Sequence, residues 1–204
     1  MKKIKKNQSG RSMVEMLGVL AIIGVLSVGG IAGYKMAMRQ IAKNSFAEFL
    51  NYWGLTVEHI YSTGIVDKIP MASGNDVYLA NKEIFCSLGT FPKHYCEDEN
   101  KDYYLTDGKD ILANNLYIYR SPFGDGIGLG VWPRPAKGTL NDSERQEKIE
   151  NCKEIIKIAS SIFPDVEFQS PNYFSITDAN GALAGCEKAP LYFYIFPFWY
   201  KEGE

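Results

Sequence analysis

The sequence predicts an α+β protein: a long N-terminal helical spine whose first half spans a membrane, and a head built on an antiparallel β-sheet with one additional helix and disulfides. Three observations carry this prediction. From Met16 to Gly33, eighteen consecutive residues bear no charge, and as a helix rising ~1.5 Å per residue they cover about 27 Å, close to the hydrocarbon thickness of a bilayer. Past Gly33 the apolar residues thin to a single stripe at helical spacing. Beyond residue 110 the pattern changes to strands around one amphipathic helix, and all four cysteines lie past the apolar run.

The first ten residues form a basic, polar leader: Lys2, Lys3, Lys5 and Lys6, then Asn7, Gln8, Ser9 and Gly10. Lysines before the apolar run and none within it place the N-terminus in the cytoplasm and export the rest of the chain. The spanning segment, from about residue 13 to residue 33, has Glu15 as its only charge. An unpaired carboxylate at mid-bilayer costs at least ~2.5 kcal/mol, which makes Glu15 a functional candidate. An ordinary secretory signal, with Gly30 and Ala32 as a small-residue cleavage site, or a plain signal anchor would share the basic start and apolar core. Both leave Glu15 unexplained.

The helical period continues through Tyr34, Met38, Ile41, Ala42, Phe46, Phe49, Leu50, Trp53, Val57 and Ile60, one apolar stripe at steps of three and four. A single spine helix is expected from about Ser12 to about Tyr61, apolar all round in its first half and one-sided in its second. Gly24, Gly29, Gly30 and Gly33 interrupt it, each weakening the helix by roughly 0.5–1 kcal/mol relative to alanine. They serve either close helix packing, with Gly29 and Gly33 one turn apart, or local melting.

Residues 62–204 make the globular head. Residues 62–110 read as irregular, punctuated by Gly64, Pro70, Gly74, Asn75, Gly89, Pro92 and Gly108. Asn115 to Arg120 and Ile127 to Trp132 alternate around the turn residues Ser121 to Gly126 and predict a β-hairpin. A helix is expected over 143–162: Asn141, Asp142 and Ser143 offer caps, Gln146 completes a Ser-x-x-Gln capping box, and Pro164 stops it. Its inward face holds Ile149, Cys152, Ile155, Ile156 and Ile158 or Ala159. Residues 166–177 give one or two strands, Asp178 to Gly181 a turn, and Leu191 to Tyr200 an aromatic closing strand. Pro197 argues against full pairing in a central strand at that point. The aromatics of this strand belong to the sheet core or to a contact with a neighbouring subunit.

Charge and composition narrow the function. Without its leader the chain has 18 Lys and Arg against 24 Asp and Glu, a formal charge of −6, which disfavours nonspecific nucleic-acid binding; no specific nucleic-acid partner is expected. The only histidines, His59 and His94, have no serine or acid at recognisable offsets and no glycine-rich phosphate loop follows a strand, so no enzymatic activity and no cofactor are expected. Glu97, Asp98, Glu99, Asp102, Asp107 and Asp110 lack EF-hand spacing and read as a solvated acidic loop. Cys86, Cys96, Cys152 and Cys186 contain no Cys-x-x-Cys, which argues against zinc; in an exported domain they suggest two disulfides, with three connectivities open.

Gly10, a four-residue gap and then Glu15 at the head of an apolar helix resembles the prepilin peptidase site of type IV pilins and type II secretion pseudopilins. Met13, Val14, Met16 and Leu17 fit the pattern, which covers roughly the first fifty residues; where the family usually has phenylalanine after the cut, this chain has Arg11. The resemblance implies a pilin fold, cleavage between Gly10 and Arg11, methylation of Arg11, and neutralisation of a neighbouring subunit's N-terminal amine by Glu15 during filament assembly. Opposite unit charges ~4 Å apart at an effective dielectric near 20 attract by about 4 kcal/mol, enough to offset burial of the carboxylate. The head resembles the type IVb pilin class, which implies a Cys152–Cys186 disulfide and leaves Cys86–Cys96 as a local clip. Some pseudopilins hold calcium, which the resemblance brings to the acidic 97–110 loop as an alternative to its solvated reading.

On this resemblance the expected partners are copies of the chain and other pilins in a filament, prepilin peptidase, an inner-membrane assembly platform, and membrane lipid before assembly. The protein would sit in the bacterial inner membrane, N-terminus cytoplasmic and head periplasmic, and then in an extracellular pilus. The alternatives are a minor pilin or a pseudopilin of a type II secretion system, and a membrane-anchored exported module that binds a surface, DNA or secreted cargo.

Overall fold

With no proline between Arg11 and Thr63 to interrupt the helical period, the chain winds these residues into one helix, α1 (Arg11–Thr63). The computed structural model describes residues 11–69, 82–90, 92, 95–96, 112–120, 126–134, 139–170, 173–188 and 193–197. The chain divides into two compact units, one ending at Ile41 and the other beginning at Ala42. The described part of the first is helix α1 up to Ile41.

In the second unit, α1 stops where Gly64 takes a left-handed conformation (φ 66°) that a residue with a Cβ adopts only at a cost. The Gly64 N–H donates to the Tyr61 carbonyl at 3.2 Å, and one 3-10 turn, Ile65–Lys68, follows. A short helix, α2 (Lys82–Ser87), lies within the region expected to be irregular.

Five strands form one sheet: β1 (Ala113–Arg120), β2 (Ile127–Pro133), β3 (Glu167–Ser170), β4 (Tyr173–Thr177) and β5 (Phe193–Phe196). Their order is β1-β2-β5-β3-β4, every neighbouring pair antiparallel. The hairpin register pairs Leu116 with Val131 and Ile118 with Leu129, and the row continues from Leu129 through Ile195 to Phe168. All six side chains are buried, so alternation places one face of the sheet on the core. Pro197 follows β5 immediately, and the central strand ends before the residue that has no N–H to donate.

Two helices complete the head, α3 (Asp142–Ile162) and α4 (Ala179–Lys188). The capping box of α3 uses Asn141 and Glu144, not Ser143 and Gln146: Glu144 N–H donates to Asn141 Oδ1 at 2.9 Å, and Asn141 N–H to Glu144 Oε2 at 3.1 Å. The shift of two residues leaves Ser143 inside the first turn. Cys152, Ile155, Ile156 and Ala159 are buried as expected, whereas Ile149 is half-buried.

The stretch Asp178 to Gly181 is not a turn between strands but the start of α4. Asp178 accepts the Gly181 N–H on Oδ1 at 2.8 Å and the Ala182 N–H on its carbonyl at 3.0 Å. Turn-forming and helix-capping residues share this local chemistry, and here the helix prevails.

The core gathers Phe46, Phe49, Leu50, Trp53, Val57 and Ile60 from α1, the sheet row, and Ile155, Ile156 and Ala159 from α3. Burial on α1 begins at Ala42; Tyr34 and Ile41, expected on the buried stripe, are 66% and 55% exposed. Two glycines are required by close approach. A Cβ on Gly54 would lie 2.5 Å from the Phe163 ring, and one on Gly128 would lie 2.6 Å from Phe196.

Candidate functional site

The candidate site is the first part of α1. Arg11 is its first helical residue; Gly10 lies outside the described residues. Thirteen large apolar side chains between Met13 and Met36 are 53–79% exposed. Patches this continuous are rare on soluble monomers and mark surfaces that lipid or protein covers. The helix is long and apolar enough to cross a membrane, and none of the apolar window is buried in the fold.

The polar groups of this segment decide what can cover it. Ser27 donates its hydroxyl to the Ile23 carbonyl at 2.7 Å, so it enters an apolar surrounding already hydrogen-bonded. Glu15 stands exposed as the sole ionisable side chain from Ser12 to Gly33. Gly18, Gly24, Gly29, Gly30 and Gly33 have open space where a Cβ would be. Nothing among the described residues of the first unit requires their lack of a side chain. The helix is unbroken from residue 29 to residue 33 in this chain, and both helix packing and melting stand as readings of its glycines.

The cysteines are joined as Cys152–Cys186 and Cys86–Cys96, separated by 34 and 10 residues. The first ties α3 to α4, where Lys153 Nζ also meets Glu187 Oε1 at 2.6 Å. That lysine holds the Glu187 carboxyl below its ordinary value through a hydrogen bond and its charge. Half-burial of Lys148 on α3 lowers its ammonium below the ordinary 10.5 by desolvation. Lys43 on α1 pairs with Glu154 on α3 at 2.8 Å.

His59 is exposed near the end of α1, while His94 and the acidic residues between 97 and 110 lie outside the described residues. Among the described residues, no group of three His, Cys, Asp or Glu side chains converges as metal ligands would. The contacts missed at the sequence level were two ring contacts on α1, Phe85 on Trp53 and Tyr95 on Phe49. Their only sequence signal was the cysteine pair itself. This chain matches no family model, no curated protein and no solved structure.

Proposed function

We propose that the chain is a structural subunit of a type IV pilus, stored in the inner membrane, trimmed after Gly10 and polymerised through the first part of α1. One observation carries the reading: Glu15, five residues after Gly10, is the only ionisable side chain from Ser12 to Gly33, in the exposed apolar part of α1. A plain anchor has no use for it. Cleavage between Gly10 and Arg11 would create an α-amine at the head of this helix. A neighbouring copy's Glu15 then supplies the counter-charge.

The energetics favour such an exchange. Lipid tails and apolar helices are similar surroundings for Leu, Ile and Val, so transfer of the nine exposed Leu, Ile and Val side chains between Leu17 and Ile31 from bilayer to helix bundle changes little in hydrophobic energy. The charge pair, worth about 4 kcal/mol at an effective dielectric near 20, therefore sets which copies join and in what register. The acidic, disulfide-bonded head is read as the part exposed on the filament.

Incubation with prepilin peptidase followed by N-terminal sequencing tests the proposal. A new terminus at Arg11 is expected; an uncut product, or a cut near Ala32, overturns it. Glu15→Ala separates a filament subunit from an anchored binding module: assembly fails for the first and anchoring persists for both. A major pilin dominates sheared surface filaments, whereas a minor pilin or a type II secretion pseudopilin is scarce in them.

A further inference from the structure

Past its apolar run, the first unit ends in a short polar neck. From Tyr34 to Ile41 every side chain but the half-buried Met38 is exposed. The neck holds two charges, Lys35 and Arg39, and both are positive. No acid stands in the sequence between Glu15 and Glu48. Lys35 and Arg39 are four residues apart on a continuous helix, so they lie on one face of it. Lys43, the next cation at the same step, is already engaged by Glu154 at 2.8 Å.

The position of the pair along α1 decides what it can meet. With Gly33 at the edge of the hydrocarbon, Lys35 stands ~3 Å and Arg39 ~9 Å farther along the axis at the helical rise. A headgroup layer about 5–7 Å deep lies there, and lysine and arginine are long enough to reach a phosphate from either height with their stems on apolar surface. Tyr34, 66% exposed at the boundary itself, is of the type that settles at that depth, an apolar ring with a polar tip. Lipid phosphates supply the negative charge that the sequence withholds from this stretch. Orientation is unaffected: Lys2, Lys3, Lys5, Lys6 and Arg11 precede the apolar run, and only Lys35, Arg39 and Lys43 follow it before the first acid.

We propose that Lys35 and Arg39 form a headgroup-binding collar: they hold phosphates of anionic lipid in the leaflet on the exported side and fix how far α1 emerges from the bilayer. Arg39 can take a phosphate through two N–H groups at once, and Lys35 takes one as a point charge. The inference rests on the membrane-spanning reading of α1 and needs no filament. If copies do assemble, these are contacts that each one releases on leaving the lipid.

Amide exchange of the full chain in lipid nanodiscs, one chain per disc, tests the collar, with mass spectrometry resolving peptides over 16–33 and 34–41. Discs of phosphatidylcholine are compared with discs in which part of it is replaced by phosphatidylglycerol. A cation beside an anionic surface gains about fivefold in binding, so two should slow exchange over 34–41 by up to about thirtyfold in the anionic discs. Exchange over 16–33 should be slow in both. A Lys35→Gln, Arg39→Gln variant should exchange over 34–41 at one rate in the two discs while its span stays protected; its leader lysines are intact, so their pull on the opposite leaflet cancels from the comparison. Wild-type rates over 34–41 that agree within about twofold between discs overturn the proposal. So does a slowing by anionic lipid that survives the double substitution. Slowing that appears only with several chains per disc assigns the neck to a second copy and overturns it as well. Fast exchange over 16–33 in both discs removes the span and the collar together, whereas a failed collar leaves the span protected.

Discussion

Replacing Gly54 with alanine sets two physical effects against each other at a position where the structure gives their sizes. In a helix, alanine is favoured over glycine by about 1 kcal/mol. Opposing that, the new Cβ would lie 2.5 Å from Cε1 and 2.9 Å from Cζ of Phe163, about 1 Å inside an ordinary carbon–carbon contact. The ring has little room to yield. The Phe163 N–H is held by the Ala159 carbonyl at 2.9 Å, its carbonyl accepts from Val166 N–H at 3.2 Å, and the residue is 6% exposed.

Strain from such overpacking is about 1–3 kcal/mol, and swinging the ring into solvent forfeits a similar ~1.5–3 kcal/mol of burial. After the helix-propensity gain of about 1 kcal/mol, Gly54→Ala should destabilise the head by up to about 2 kcal/mol, or up to about 8 °C in Tm for a chain of this size. The assay is thermal unfolding of the full chain in micelles, followed by near-UV circular dichroism. A cycle with Phe163→Leu should recover about 1 kcal/mol of the loss as a favourable coupling. A higher Tm for Gly54→Ala, or a coupling within ~0.3 kcal/mol of zero, refutes the account of this contact.

The same substitution at Gly29 or Gly33 meets open space, so each should raise helix stability in the isolated chain by about 0.5–1 kcal/mol, measured by amide exchange in micelles; a loss of filament assembly in these variants would assign the glycines to packing between copies. Removing the α3–α4 bridge with Cys152→Ser and Cys186→Ser opens a closure of 34 residues and should lower stability by about 3–4 kcal/mol on the chain-entropy model, read from denaturant midpoints. Glu187 titrates below its usual 4.5 beside Lys153, so its contribution is full above that value and is lost as pH falls through the lowered folded value. Glu187→Gln should therefore flatten the acid limb of the Tm–pH profile, and added salt should do the same to the wild type because the carboxylate is exposed.

The long periodic elements were legible in the residues for a simple reason: their signal is local and repeated. α1, the β1–β2 hairpin and α3 each repeat one period over many positions, and the structure places them within one or two residues of expectation. α4 was not legible, because Asp178, Asn180 and Gly181 suit a turn and a helix start equally, and only packing that brings Cys186 to Cys152 distinguishes them. α2 is too short for any period to register.

At the candidate site Glu15 was legible because a lone charge in an apolar run stands out against its neighbours. Phe85 over Trp53 was not, since two residues 32 positions apart leave no mutual trace in a single sequence. The strand order was likewise beyond local pattern: nothing in the residues 193–196 says that they pair with both β2 and β3.

That pairing dictates when the head can be completed. The β1–β2 hairpin and the β3–β4 pair share no edge; β5 alone bridges them. Translation therefore delivers the bridging strand after the other four, when α1 has long since emerged. Until residue 196 has been made there are two separate hairpins and an uncovered helix stripe, a state whose apolar surfaces invite aggregation. A truncation upstream of Phe193 should thus abolish the common sheet and leave two detached pieces.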